Sequence, residues 1–293
     1  MWSKPWTLKE GFALGGGLII TGLVLQLSIG PVVWDAFVWP ANGIVLACFL
    51  LLNILIYACR KLFYDFRFIS TYQAAIPTLV YAVALTILMG IIRQTVNGSW
   101  LTNMLSFWPF VLIYVYMTII LGQIILRHLL HFQWRRDIPF LLNHLGLFIA
   151  LTTATLGNAD MQRLKMYTMT DTTEWRALND NGEVVELPVA IELKEFIMET
   201  YDDGTPKRFA SDIEIYTIEG EQMRTTVDVN KPAEVNGWTI YQYGYDSSMG
   251  AESNISILEL VSDPWLPAVY TGIYMMLAGA LTLFILGVRR KQA

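Results

Sequence analysis

Six apolar runs, at about 11–31, 41–59, 73–92, 108–126, 138–157 and 266–287, punctuate the chain. Each approaches the ~20 residues that a helix rising ~1.5 Å per residue needs to cross a bilayer, so the pattern predicts six transmembrane helices. The long gap between the fifth and sixth runs is of another kind. Its start, 159–183, is rich in Thr, Asp and Asn and reads as a polar linker. Beyond it, runs at 184–196, 212–218, 223–229, 238–245 and 255–261 are rich in Val, Ile, Thr and Tyr. Turn pairs such as Asp203-Gly204, Glu219-Gly220, Asn236-Gly237 and Met249-Gly250 separate them, which is the chemistry expected between strands. Strands at such short spacing, without helical periodicity between them, predict a small antiparallel sandwich or sheet. The expected organisation is a membrane domain over 1–157, a β-rich domain over 158–263, and a last helix with a basic tail over 264–293.

Charge adds direction. Of 293 residues, 54% are hydrophobic and 15% charged, against ~25% charged in a soluble domain. Of the 25 acids, 21 lie in 157–263, with 8 of the 20 Lys and Arg. The other cations gather between and beyond the apolar runs: Lys4 and Lys9, then Arg60, Lys61 and Arg67, then Arg127, Arg135 and Arg136, then Arg289, Arg290 and Lys291. The alternate loops hold only Arg93. The positive-inside rule therefore predicts both termini in the cytoplasm and the β-rich domain outside it, extracytoplasmic, between the fifth and sixth helices. Trp34, Trp39, Trp100, Trp108 and Trp265 flank the runs on the outer side, and Trp2, Trp6 and Trp134 on the inner side, as aromatic belts do. The first run is long and leads into a second, so it reads as a retained anchor rather than a cleavable signal. An acidic water-exposed domain repels phosphates, which argues against a nucleic-acid partner and leaves the lipid bilayer as the expected surroundings.

Candidate chemistry is sparse. Cys48 and Cys59 share one helix, ~16 Å apart, too far for a disulfide. The chain has no Cys-x-x-Cys-His haem-attachment motif, and no nucleophile–base pair or phosphate loop is legible. It has three histidines, none in the outer domain. His144 stands ~9–10 Å inside the fifth run. An ionisable residue at that depth is costly, and a neutral imidazole there suits a metal ligand, a proton relay, or a structural hydrogen bond to a carbonyl. His128 and His131, three residues apart beside Arg127, Arg135 and Arg136, read as a solvated interfacial cluster in preference to a metal or proton site.

Two outer phrases are more specific. One is Phe196, then Tyr201-Asp202-Asp203-Gly204-Thr205-Pro206-Lys207, Phe209 and Ser211. The other is Val229-Asn230-Lys231-Pro232, then Gly237-Trp238, Ile240-Tyr241-Gln242 and Tyr245. With Asp263-Pro264 leading through Val269 and Gly272 into the last run, they resemble the ResB, or CcsB, family of System II cytochrome c biogenesis proteins. The resemblance covers roughly 138–288. It implies a subunit of the bacterial cytoplasmic membrane that works with a CcsA-type haem-handling partner. Together the pair would deliver reduced haem b to a Cys-x-x-Cys-His apocytochrome c, with a thioredoxin-like thiol reductase as a further partner. The family's intramembrane histidine is matched by His144-Leu145-Gly146-Leu147, which makes His144 the candidate axial ligand of the haem iron. The chain lacks the Trp-rich segment and outer histidines of the CcsA half, so the resemblance implies a non-autonomous part of a haem lyase. The alternative is a non-enzymatic scaffold that recruits apocytochrome or reductase without touching haem.

Overall fold

The computed structural model describes residues 3–95, 98 and 100–290; Trp2 and Lys291 lie outside the described residues, as do the side chains of Arg135, Arg136, Arg289 and Arg290. The chain divides into two compact units, residues 1–159 with 265–293, and residues 160–264.

The first unit is helical: α1 (Leu8–Ile29), α2 (Ala41–Cys59), a short α3 (Tyr64–Ile69), α4 (Tyr72–Ile91), α5 (Trp108–Leu130), α6 (Trp134–Gly157) and α7 (Leu266–Arg290). All but α3 are long and apolar enough to cross a membrane, so this is a multi-pass membrane protein. A capping box starts α1, in which Thr7 accepts from the Lys9 N–H and Glu10 accepts from the Thr7 N–H. Between apolar helices the hydrophobic effect contributes little, so small residues and side-chain amides carry much of the contact. Gln123 donates to the Asn53 carbonyl at 2.8 Å, tying α5 to α2, and Asn42 donates to the Leu156 carbonyl at 3.1 Å, tying α2 to α6. The Trp108 N–H meets Gln26 at 3.1 Å, joining α5 to α1. The α6–α7 pair is packed most extensively of all. A Cβ on Gly272 would lie 2.5 Å from the Gly146 carbonyl, and one on Gly279 2.4 Å from the Asn143 amide, so only glycine permits this approach. Cys48 and Cys59 are both free.

The second unit is one antiparallel sheet of eight strands: β1 (Gln162–Met169), β2 (Thr173–Leu178), β3 (Val184–Thr200), β4 (Pro206–Thr217), β5 (Gln222–Asp228), β6 (Ala233–Val235), β7 (Trp238–Tyr245) and β8 (Ile255–Ser262). Their order is β5-β4-β3-β2-β1-β8-β7-β6. The edge strand β5 approaches β6 and β7 at the other edge, so the sheet curls into a barrel rather than stacking as a sandwich. Alternate residues point inward, and Val189, Ile191, Leu193, Ile213, Ile215, Ile240, Leu258 and Leu260 fill the interior. Asn236 and Gly237, both at positive φ, make the two-residue turn between β6 and β7.

The expected linker at 159–183 is corrected: it is two strands. Leu164, Met166 and Thr168 alternate inward along β1, but Arg163, Lys165 and Thr168 dilute the apolar signal. Their burial comes from pairing with β8, from Gln162 opposite Ser262 to Met169 opposite Ile255.

On the barrel wall Glu192 and Glu214 stand directly opposite each other. Lys194 bridges them at 2.6 and 2.9 Å, and Tyr216 lies 2.9 and 3.0 Å from the same carboxylates. The Lys194 bond, helped by Gln222 and Tyr216, pulls Glu214 down from 4.5 to about 2, and Lys194 also lowers Glu192. A depressed carboxylate stabilises the fold fully above its unfolded value and ceases to do so as pH falls through its folded value. The barrel should therefore lose thermal stability between about pH 4.5 and 2. Replacing Lys194 with Met should lower its stability at neutral pH and flatten that acid limb in a circular-dichroism melt. An unchanged limb would show that the cluster is energetically silent.

Candidate functional site

His144 stands about three turns into α6, half-buried on the membrane unit. Its Nδ1 lies 2.9 Å from the carbonyl oxygen of Phe140, one turn back. A carbonyl can only accept, so Nδ1 carries the proton and the neutral ring keeps its lone pair on Nε2. No hydrogen bond engages Nε2 among the described residues. A metal-binding imidazole is commonly fixed in this way, its second nitrogen held by a carbonyl so that the first is aimed and basic.

Phe140 also stacks on His144, with centroids 3.8 Å apart and planes 17° apart. On its other side, at 3.9 Å and 29°, lies the ring of His128 from the end of α5. Sequence reading treated these two histidines as unrelated. The structure places them in one column of three rings, because the turn at 131–133 folds α6 back along α5. His128 Nδ1 in turn lies 3.1 Å from Oδ1 of Asp137, whose other oxygen accepts from the Gln133 N–H at 2.7 Å. Asp137 is fully buried at the start of α6, where a carboxylate is favoured by the helix dipole. His131 stays exposed and bonds the Arg127 carbonyl at 3.2 Å.

His128 and His131 line one wall of an open cavity of about 800 Å³, with Arg60, Arg67, Arg127 and Tyr57 around the rest. The arginines were legible in the sequence only as orientation signals; their convergence was not. A second cavity of about 430 Å³ is apolar and aromatic, lined by Trp34, Phe49, Trp108 and Tyr114 among others. It holds no titratable cluster, and the Tyr114 hydroxyl is already bonded to Leu151 and Thr155. Among the described residues no three His, Cys, Asp or Glu converge on a metal position.

Comparison with known proteins links this site to the barrel. Residues 135–257 match the ResB-like family, a segment that runs from the first turn of α6, through His144, to β8. A cytochrome c biogenesis protein CcsB from Prochlorococcus marinus is 33% identical over 107 residues, 36% of this chain and 24% of that protein. The chloroplastic cytochrome c biogenesis protein CCS1 of Oryza sativa is 40% identical over 53 residues, 18% of this chain and 9% of its own. The matched part thus spans a quarter or less of these relatives' length. Among solved structures, the cytochrome c haem lyase CcmF aligns with 92% of this chain and 49% of its own, at a TM-score of 0.36 and 14% identity. Over its α6–barrel segment, residues 135–257, the chain is similar to the ResB-like family and to these CcsB and CCS1 proteins.

Proposed function

We propose that this protein is the membrane subunit of a System II complex for cytochrome c biogenesis, and that His144 is an axial ligand of the haem b it handles. The observation that carries the ligand role is the Nδ1–Phe140 bond, which leaves Nε2 free with its lone pair. In this reading both termini are cytoplasmic, in the bacterial inner membrane, and residues 158–263 form the extracytoplasmic domain. The basic loops support that orientation. A CcsA-type partner supplies the second ligand and the outer site.

The chemistry served is addition of a cysteine thiol across a haem vinyl group. The new C–S bond forms at one vinyl carbon and the thiol proton ends on the other, so the addition itself consumes no oxidant. Reducing power is needed only to keep the apocytochrome thiols and the iron reduced, the task of a thioredoxin-like partner. What this chain contributes is position: an oriented imidazole on α6 and, directly after it in the chain, a barrel on the side where apocytochrome is met.

Co-purification with a CcsA-type partner should yield bound haem with a bis-imidazole spectrum. His144→Ala should lower haem occupancy about tenfold or more, the scale on which metal sites respond to lost ligation, and added imidazole should partly restore it. Full occupancy and an unshifted spectrum in His144→Ala would leave the scaffold reading, in which the Phe140 bond is only structural.

A further inference from the structure

The cavity beside His128 is lined by three arginines, and among the described residues no carboxylate lines it. The helical unit carries only four acids, Glu10, Asp35, Asp65 and Asp137, and none of them lines the cavity. Arg60 comes from the end of α2, Arg67 from α3 and Arg127 from the last turn of α5. Three arginines from three elements so line one space, and among the described residues none has a carboxylate partner. Arg60 lies over the Tyr57 ring at 3.3 Å and bonds the Tyr57 carbonyl at 3.2 Å, which fixes its plane. Tyr57, 6% exposed, and Ser70 also line the cavity, and their hydroxyls are buried without a hydrogen-bond partner. Leaving a buried hydroxyl unpaired is unfavourable. Uncompensated arginines add repulsion among themselves. A ligand with paired acceptor oxygens relieves that repulsion, and planar guanidinium groups match carboxylates in particular, two N–H groups to two oxygens.

The ring column says which carboxylates. A metal held by an imidazole nitrogen lies in the plane of that ring, so a porphyrin on His144 Nε2 stands perpendicular to the imidazole and parallel to the stacking direction. Along that direction, two steps of 3.8 and 3.9 Å lead from His144 through Phe140 to His128 at the cavity wall. That is comparable to the reach from a porphyrin's centre to its carboxylate-bearing edge. We propose that this cavity, through Arg60, Arg67 and Arg127, receives the two propionate carboxylates of the porphyrin. The inference rests on the haem-handling function proposed above. It adds a second, iron-independent point of attachment, and so fixes the rotation of the macrocycle about the His144 axis.

Because it needs no iron, the site can be tested apart from the ligand. Iron-free protoporphyrin IX and its dimethyl ester are titrated by fluorescence into the purified full-length chain in one detergent. The ratio of their affinities is compared between wild type and the variants Arg60→Gln, Arg67→Gln and Arg127→Gln, which cancels partition into the micelle. The wild type should prefer the free acid at least tenfold, each variant should erode that preference several-fold, and the triple variant should abolish it. His144→Ala should keep the preference while changing the iron-porphyrin spectrum, so a failure of the ligand role and a failure of the cavity are read separately. Equal affinity of wild type for acid and ester would overturn the proposal, whatever His144 does. So would an unaltered preference in the triple variant. Native mass spectrometry supplies the remaining arm: loss of bound phosphatidylglycerol on Arg→Gln substitution, with porphyrin preference intact, would reassign the cavity to a lipid headgroup phosphate.

Discussion

Gly272→Val is expected to destabilise the membrane unit by about 3 kcal/mol, the upper part of the range for overpacking a close contact. The crossing of α6 and α7 leaves no room for relief. A Cβ at 272 would lie 2.5 Å from the Gly146 carbonyl oxygen and 2.7 Å from the Ala150 nitrogen. Both are backbone atoms of a continuous helix, so no rotamer change removes the clash, and α7 must shift outward along its length. The reciprocal change, Gly146→Val, meets the Gly272 carbonyl at 2.6 Å and should behave alike. Gly17→Ala is the control: nothing stands within 4 Å of its position, and alanine suits a helix interior better than glycine by about 1 kcal/mol. Thermal unfolding in detergent, followed by intrinsic fluorescence, reads the difference. A Gly272→Val protein that melts with wild type would mean that the α6–α7 contact is not a stabilising one.

Asp137→Ala should be comparably severe, about 2–3 kcal/mol, the upper scale for hydrogen bonds made to a charged group. Its carboxylate is completely buried and joins two elements, since one oxygen faces His128 on α5 and the other receives the Gln133 N–H that opens α6. Removing it takes the acceptor from the Gln133 N–H and from the His128 ring nitrogen. Asp137→Asn keeps one carbonyl oxygen for the Gln133 N–H and should lose only about 1–2 kcal/mol, the scale of a single hydrogen bond exchanged for a weaker one. Asp35→Ala, at an exposed position, should stay within about 0.5 kcal/mol of wild type. Equal melting of Asp137→Ala and Asp35→Ala would refute the role given to Asp137.

The sequence made the spanning helices legible because length and hydropathy are local properties. The same holds for β3, the second half of β4, β7 and β8, whose Val, Ile and Tyr recur densely enough to read without context. β1 escaped because its inward residues, Leu164, Met166 and Thr168, are interleaved with Arg163 and Lys165, and only pairing with β8, some ninety residues away, makes them a core face. β6 is three residues long and is defined by its partner. Closure into a barrel is likewise a property of distant strands. At the site, the depth of His144 was readable and its partner carbonyl lay one helical turn away, within reach of the i, i+4 rule. The His128–Phe140–His144 column and the meeting of Arg60, Arg67 and Arg127 depend on how α2, α3, α5 and α6 pack, which no single window of sequence contains.

The placement of the barrel between α6 and α7 also sets an order of events during synthesis. Gly146 and Gly272 pack face to face, yet 105 residues of barrel, Asp160–Pro264, separate the two helices in the chain. At ribosomal rates of about 5–20 residues per second, α6 waits roughly 5–20 s for its partner. During that interval its glycine face has no packed neighbour, and the ring column on its other face must hold it against α5. When β1 and β8 zip together, the ends of that long insert are drawn close, and the entropic penalty of bringing α7 to α6 has already been met by the sheet. Pairing of β1 with β8 thus shortens the effective loop that α7 must close to reach α6.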